Sequence, residues 1–589
     1  MLDGWRRPEN RQIIVLGLLI VVAVAWRSLT TTDAAAVAPA RPRVVTVLEH
    51  APEEEAWFVD VTMTRLDPAE GRVEAYFTGW GLGLADGADH VVRLDARGRP
   101  MPDDAGPPWF LPVPESGRVE LHYRVRLLPM GGEEAAAAGL RPQLGDYAFG
   151  YSWNTIVQLS QGGYALGGDH HLELRAGQGV PVVTGWRGRT TARQRLTWPS
   201  PAGNGPLAFG EPARVLELPA GEGGPAVEVY QYGAGPDATA AVGEVVQRAL
   251  PVMAALFGRA PPSPYRAFVT AHGDGGMSSH AGLRVTVRAE QDPAVHASPW
   301  FRRLVVHELL HFGLGHELDP GGEHLAWVHE GFTEYLALWV TAVAGHNTRE
   351  EFARAVLEHE QLARGQSTLG EVAFADETDW RDDGPRETQA YSGGALLGLA
   401  LDVELRQRGH SGLGAFVRDR LAAGADSFTI DDLRTWLKER GLGARYAASV
   451  AGTELPPAEE LLALAGFRRG PRPVDLAYVG LRTEEADGGR VRAVDPDGPA
   501  ARAGVREGDV ITGLFPLRQD GATVKGRAPR HDFGLTLFEP GRPGAYLGVR
   551  RGDEDLQLPV EPERLEGAGR AEGWIADGGA LDLFFASPP

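Results

Sequence analysis

The sequence predicts a multidomain α+β protein. An N-terminal antiparallel β domain comes first, then a mainly helical domain raised on a small sheet, then a small C-terminal domain of strands with one short helix. Three observations lead there. Residues 44–219 largely alternate apolar with polar side chains, the period of a half-buried strand. Over about Ala238–Phe257 and again from Ser298 to Arg440 apolar residues recur every three or four positions, the period of a helix. After a boundary at Pro456–Pro473, helical at first and then rich in Arg, Gly and Pro, short strand patterns return.

The chain begins with Arg6, Arg7 and Arg11, followed by an uncharged apolar run from Ile13 to Trp26. That run is short for the roughly 20 residues of a full membrane span. It suits the core of a signal peptide, or a signal anchor extended by Leu29, so 1–30 is expected to be one of these and 31–43 a linker. Small residues at Ala34–Ala38 offer a cleavage site. Positive charge ahead of the run places the rest outside the cytoplasm, in the periplasm or cell envelope. The segment touches the membrane if it is not cleaved. Arg6-Arg7 hints at a twin-arginine signal, but the following residues do not match one.

Strands are expected at Val59–Met63, Val73–Phe77, Arg118–Arg126 and His171–Arg175, separated by Gly, Pro and Asp loops. One short helical turn fits Glu133–Ala138, and nothing catalytic is expected before residue 220. Then come a strand at Val227–Tyr232, a helix over about Ala238–Phe257, a buried strand at Tyr265–Thr270, a Gly-rich turn from His272 to Gly282 and a strand at Leu283–Arg288. An exposed edge here would align a substrate backbone by strand addition, though a plain hairpin turn fits the local residues equally well. Further on, Thr348 and Glu351 make a capping box for a helix through Leu362. Helices at Gly393–Arg408, Leu413–Ala422 and Ile430–Arg440 follow, the last capped by Thr429.

Composition narrows the function. A net charge of −21 argues against nucleic acid as a partner. The absence of cysteine excludes disulfides, thiolate zinc ligands and a cysteine nucleophile. A hydrophobic content of 43 % is ample for several cores, and Gly 77 and Pro 43 promise many turns.

The chemistry concentrates between Val306 and Tyr335. His307, Glu308 and His311 form the pattern H-E-x-x-H. Four residues apart on a helix, both imidazoles share one face where a single ion takes both, and Glu308 lies beside that ion as a general base. Ser298 as N-cap and Pro299 at the first helical position support the helix. Eighteen residues separate His311 from Glu330, the expected third ligand, on a second helical pattern. Two His and one Glu leave a fourth position for water, the catalytic form of a zinc site. Glu334, one turn beyond Glu330, is expected to orient His307 or His311.

The run HELLH, eighteen residues, then EGFTEYL resembles the gluzincin metallopeptidases, in particular the glycyl aminopeptidase family and more distantly the aminopeptidase N family. The metzincin alternative fails, because Leu314 and Glu317 stand where it needs Gly and His. His316, His324 and His329 are read as helix-end or surface histidines.

The resemblance implies a thermolysin-like, mainly helical zinc peptidase domain and one Zn2+ per chain. It also implies a substrate motif at Gly275, Gly276, Met277 and Ser278, with His280 one residue out of register with the family's following His. The families carry there a Glu that holds the substrate's free amino group. Ser278 and Ser279 occupy its place, so acylated or longer peptides are expected as substrates. Tyr391, in Tyr391-Ser-Gly-Gly394, matches the family tyrosine that donates to the developing oxyanion, while Gly393 replaces the usual Lys.

Val491–Ile511 resembles a bacterial PDZ domain: a strand, a short helix at Pro499–Ala503, a turn at Gly504 and the G-D-V-I strand. Tyr478, Val479, Gly480 and Leu481 would be its carboxylate loop, binding the C-terminus of a peptide ligand. The expected domains are therefore 44–219 β, 220–468 catalytic and 469–565 PDZ, with a tail at 566–589. The expected function is exported, aminopeptidase-like zinc metallopeptidase activity with Glu308 as base for a zinc-activated water. Two other classes stay open: an inactive PDZ peptide-binding protein, against which the intact Glu308 argues, and a zinc hydrolase of a non-peptide bond.

Overall fold

The structure is a computed structural model. It describes residues 41–586 except 78–90, 102–105, 131–141, 163, 167–168, 191–193, 199–204, 222–223, 272–274, 288–292, 322–324, 377–383, 485–489, 517–534, 538–544, 553, 561–562 and 577–578. The expected signal segment, most of the linker, the turn at Glu133–Ala138 and His324 lie outside the described residues.

Three sheets build the N-terminal unit. Alternation works as the sequence promises: in Val119–Arg126 the side chains of Val119, Leu121, Tyr123 and Val125 face the core while their neighbours face out. The unit is not purely antiparallel. Arg43–Ala51 runs parallel to Asp169–Arg175, with Arg43 opposite Asp169 and Glu49 opposite Arg175. No hairpin joins these distant strands, so no tight turn fixes their direction. Ala148–Tyr151 is buried along its whole length. Its aromatic rings, with Trp153, form one cluster with Tyr230, Tyr232 and Phe268 of the next unit.

A five-stranded sheet supports the middle unit. Its order is Arg214–Leu218, Val227–Tyr232, Tyr265–Thr270, Gly282–Thr286 and Gly276–Ser279. Arg214–Leu218, read from sequence as the end of the β domain, is an edge strand here because it pairs with Val227–Tyr232. The fully buried Tyr265–Thr270 lies between two parallel neighbours, which explains its lack of alternation. The opposite edge, Gly276–Ser279, lies against the helix Pro299–Leu310. Helix Thr239–Phe257 is the one among the described residues long and apolar enough to cross a membrane, yet its apolar face belongs to the core of this unit.

Two later helices open with a π-helical turn: Trp327–Phe332 before Thr333–Val343, and Gln389–Gly393 before Gly394–Gln407. The two π turns cross where Gly331 meets Gly394. A Cβ on Gly331 would come within 2.5 Å of the Ala390 carbonyl oxygen, and one on Gly394 within 2.6 Å of the Trp327 carbonyl oxygen. Only glycine allows this approach, and it brings the elements bearing Glu330 and Tyr391 together.

The C-terminal unit is a five-stranded sheet, Leu481–Glu484, Arg490–Val494, Val510–Pro516, Ala545–Arg551 and Glu554–Val560, over a small core with the short helix Pro499–Arg502. It is joined to the middle unit by a long antiparallel ribbon of Phe467–Tyr478 and Glu563–Ala576. The stretch expected as a tail is not one. Helix Gly579–Phe584 returns to the middle unit, where Leu581, Phe584 and Phe585 join its core. There Trp339 Nε1–H donates to the Phe584 carbonyl at 3.0 Å, and Arg349 pairs with Asp582 at 2.6 Å.

A candidate metal centre between two helices

The helix Pro299–Leu310 starts where expected. Ser298 Oγ accepts from the Phe301 N–H at 3.2 Å, and Pro299 fills the first turn. His307 and Glu308 lie in its last turn and His311 caps it, all buried. Glu330 reaches the same point from the π turn rather than from a regular helix.

His307, His311 and Glu330 each offer one ligand atom, all within 4.8 Å of one another. His307 Nε2 is 3.1 Å from His311 Nε2 and 3.3 Å from Glu330 Oε2, and His311 Nε2 is 3.4 Å from that oxygen. The outer nitrogens are already used. His307 Nδ1 meets Glu334 Oε2 at 2.8 Å, and His311 Nδ1 meets the Leu314 carbonyl at 3.2 Å. With Nδ1–H donating outward on both rings, the two Nε2 lone pairs and a carboxylate oxygen face one another. Three electron-pair donors that close together call for a cation between them. The charges agree. Burial pulls the His307 pKa down, but Glu330 and Glu334 outweigh it and raise it to about 10. Burial pushes the Glu330 carboxyl up, but His311 and His329 and the bonds from the ligand imidazoles hold it well below the usual range. The residues present therefore fit a metal ion.

Glu334 is itself anchored, by Arg303 Nε at 3.0 Å and His359 Nε2 at 3.2 Å, and His359 Nδ1 continues to Ser392 Oγ at 3.1 Å. Of the two partners expected for Glu334, the structure selects His307. Arg303, His359 and Ser392 were missed. Arg303 was within reach of sequence reasoning, four residues before His307 on one helix face. His359 interrupts the apolar stripe Phe352, Val356, Ala363, a sign that it faces inward. Ser392 left no signal.

Glu308 points the other way, toward the edge strand. A Cβ on Gly276 would come within 2.6 Å of its carboxylate, so the strand passes directly over it. Burial raises the Glu308 pKa, only partly offset by His307 and His311. Tyr391 stacks near His307, ring centres 6.0 Å apart, and its phenol hydrogen-bonds Glu330. Burial and the Glu330 and Glu308 carboxylates lift its pKa well above 10.

On the edge strand, Met277 packs on the aromatic cluster and Ser278 is buried, its Oγ without a partner among the described residues. Ser279 is buried too, its hydroxyl on the Gly282 carbonyl. Gly275 takes a positive φ of 59° at the turn into the strand. Opposite Met277 on the adjacent strand stands Arg284, a buried guanidinium that sequence reasoning passed over. Glu387, one turn before Tyr391, is coupled to Glu330 and was also missed. Of the histidines read as helix-end or surface residues, His329 and His316 lie within the described residues and are half-buried: His329 Nε2 lies 3.1 Å from His311 Nδ1, and His316 Nε2 is shut off from solvent. His316 follows the turn at Gly315, φ 132°, just after the helix Pro299–Leu310, whereas His329 lies in the π turn Trp327–Phe332.

In the C-terminal unit, the Val479 and Gly480 carbonyls accept from Ala500 and Asp495 N–H, both at 2.8 Å, and Gly480 has φ 81°. Leu481 is buried and opens the strand at the sheet's edge. Tyr478 belongs to the ribbon.

No protein-family model matches this sequence, and no curated protein matches it. Among solved structures the chain is similar to an aminopeptidase N family protein from Idiomarina loihiensis, at 15 % identity and TM-score 0.60, covering 92 % of this chain and 100 % of that one. It overlaps more loosely with an M1 zinc metallopeptidase from Deinococcus radiodurans bound to a Tyr-Ser-Ala substrate, at 16 % identity and TM-score 0.47, covering 71 % and 95 %. Yeast LTA4 hydrolase gives 14 % identity and TM-score 0.47, covering 72 % and 71 %. The first likeness is one of fold: a β-sheet domain followed by a helical domain in a multidomain α+β chain.

Proposed function

We propose that the protein is an exported zinc metallopeptidase that hydrolyses peptide bonds. The observation that carries this reading is the convergence of His307, His311 and Glu330 with Glu308 beside them under an edge strand. Two imidazole nitrogens and one carboxylate suit zinc in its catalytic form. Zinc held there would supply a Lewis acid that polarises a carbonyl and lowers the pKa of a water.

The chain's own residues do the rest. Glu334, braced by Arg303 and His359, fixes the His307 tautomer and ring. Glu308, made more basic by burial, takes a proton from the attacking water and passes it to the leaving amine. Tyr391 donates to the developing oxyanion once substrate displaces its bond to Glu330. The edge strand Gly276–Ser279 aligns the substrate backbone by strand addition. Ser278 and Ser279 leave this strand without a carboxylate for a free amino group, so N-blocked or longer peptides are accepted. The C-terminal unit acts as a PDZ domain docking peptide tails, and the N-terminal segment directs export.

The test is incubation of the protein and its Glu308→Gln variant with peptides, half of them N-acetylated, with products read by mass spectrometry. Cleavage by the unmutated protein, falling about 10²–10⁴-fold in the variant with zinc retained, is the expected result. A zinc-loaded protein that cuts nothing overturns the peptidase reading and leaves a peptide-binding protein, or a hydrolase of another bond.

A further inference from the structure

One buried imidazole joins two parts of the centre that the reaction uses separately. His359 lies in the helix Arg349–Gln366 with Phe352, Val356 and Ala363, and it is buried with them. A polar ring on an apolar face costs stability unless its nitrogens find partners. Both do. Nε2 lies 3.2 Å from Glu334 Oε1, with the Arg303 guanidinium at 3.3 Å, and Nδ1 lies 3.1 Å from Ser392 Oγ. The Ser392 hydroxyl donates or accepts, so its contact holds with either tautomer of the ring.

The two partners serve different residues. Glu334 turns its other oxygen, Oε2, to His307 Nδ1 at 2.8 Å. Ser392 follows Tyr391 directly in the π turn Gln389–Gly393. On the other side of Tyr391 the same turn is held from a different segment: Gln389 Nε2–H donates to the Val372 carbonyl at 3.0 Å, and Gln389 Oε1 accepts from the Thr368 hydroxyl. The Ser392 contact ties the turn back to the carboxylate that holds His307. Three buried side chains, Glu334, His359 and Ser392, therefore run from His307 to the backbone beside Tyr391.

We propose that His359, acting through Ser392, is a positioning residue that sets where Tyr391 stands relative to His307. The inference rests on the peptidase reading, because it concerns the placement of the oxyanion donor. Such a donor acts at about 2.7–3.1 Å from the oxygen that it stabilises. Stacking on His307, with ring centres 6.0 Å apart, leaves the Tyr391 ring room to slide. The tether at Ser392 fixes the turn that carries it.

The test uses the full-length, zinc-loaded protein with free and N-acetylated peptides. Ser392→Ala should lower kcat about five- to tenfold, the scale of one hydrogen bond, with KM unchanged. His359→Gln, whose amide reproduces the Nε2 side of the ring and drops the Nδ1 side, should do the same. Zinc affinity, read by competition with a chelator and independent of turnover, should stay within about twofold in both variants. Added to Tyr391→Phe, Ser392→Ala should cost nothing further, because the donor that it positions is gone. A mere packing role would add its cost in both backgrounds. The proposal falls if folded Ser392→Ala keeps full kcat, if its cost persists in Tyr391→Phe, or if zinc affinity drops in step with kcat. An unmutated, zinc-loaded protein that cuts no peptide overturns the peptidase reading, and the proposal with it.

Discussion

The two sides of the candidate centre differ in how completely their polar groups are satisfied. On the helical side, His307 leads to Glu334, and Glu334 leads to Arg303, His359 and Ser392. On the strand side, Ser278 Oγ, His280 Nδ1, His316 Nε2 and Thr286 Oγ1 are buried with no partner among the described residues, against Trp327 Nε1 on the helical side. A satisfied network holds its geometry before any ligand arrives. On the proposed reading this strand side is the one a substrate backbone meets. The difference assigns rigidity to the ligand-holding half and recognition to the strand half.

The largest effect should come from breaking the helical side at its centre. Glu330→Ala removes one of three converging donors and should abolish both bound zinc and activity, read by metal analysis on the folded protein. Tyr391→Phe keeps the ring against His307 and removes only the donor. It should cost about 10²–10³-fold in kcat with zinc content unchanged; an unchanged kcat would confine Tyr391 to packing. Glu334→Gln lies one step further out. It weakens the hold on His307 and should lower zinc affinity by about 10–100-fold, measured by competition with a chelator. If Glu334→Gln cost as much as Glu330→Ala, the graded order from ligand to support would be wrong.

Legibility followed the same division. The clustering of His307, Glu308, His311, Glu330 and Glu334 was readable because helical period ties spacing to a shared face, and Ser298 and Thr348 announced their caps. What was missed depends on contacts between distant segments. The crossing at Gly331 and Gly394 needs two π turns, and hydrophobic period does not distinguish π from α over one turn. The parallel pairing of Arg43–Ala51 and the return of helix Gly579–Phe584 to the core likewise have no local signature. His316 reads as a helix-end or surface residue because a lone histidine in a loop carries no period at all.

The smallest and sharpest change is Ser278→Glu. It introduces a carboxylate where the resembled glycyl aminopeptidase and aminopeptidase N families hold the substrate's amino group, on a strand already passing over Glu308. Ser278 is only 3 % exposed, so the new side chain enters a tight, dry site, and an unpaired buried carboxylate is costly. Two outcomes follow from that cost. Without substrate, the folded protein should lose stability, seen as a lower Tm. With a free N-terminal ammonium as partner, the charge is paired, so free-amine peptides should gain over their acetylated forms by roughly tenfold in kcat/KM, the scale of one charge-assisted hydrogen bond. A preference that stays flat in a folded variant would mean that the amino group never reaches Ser278. The strand side would then recognise the peptide by its backbone alone, and Glu387, a carboxylate acted on electrostatically by Glu330, would become the next position to change.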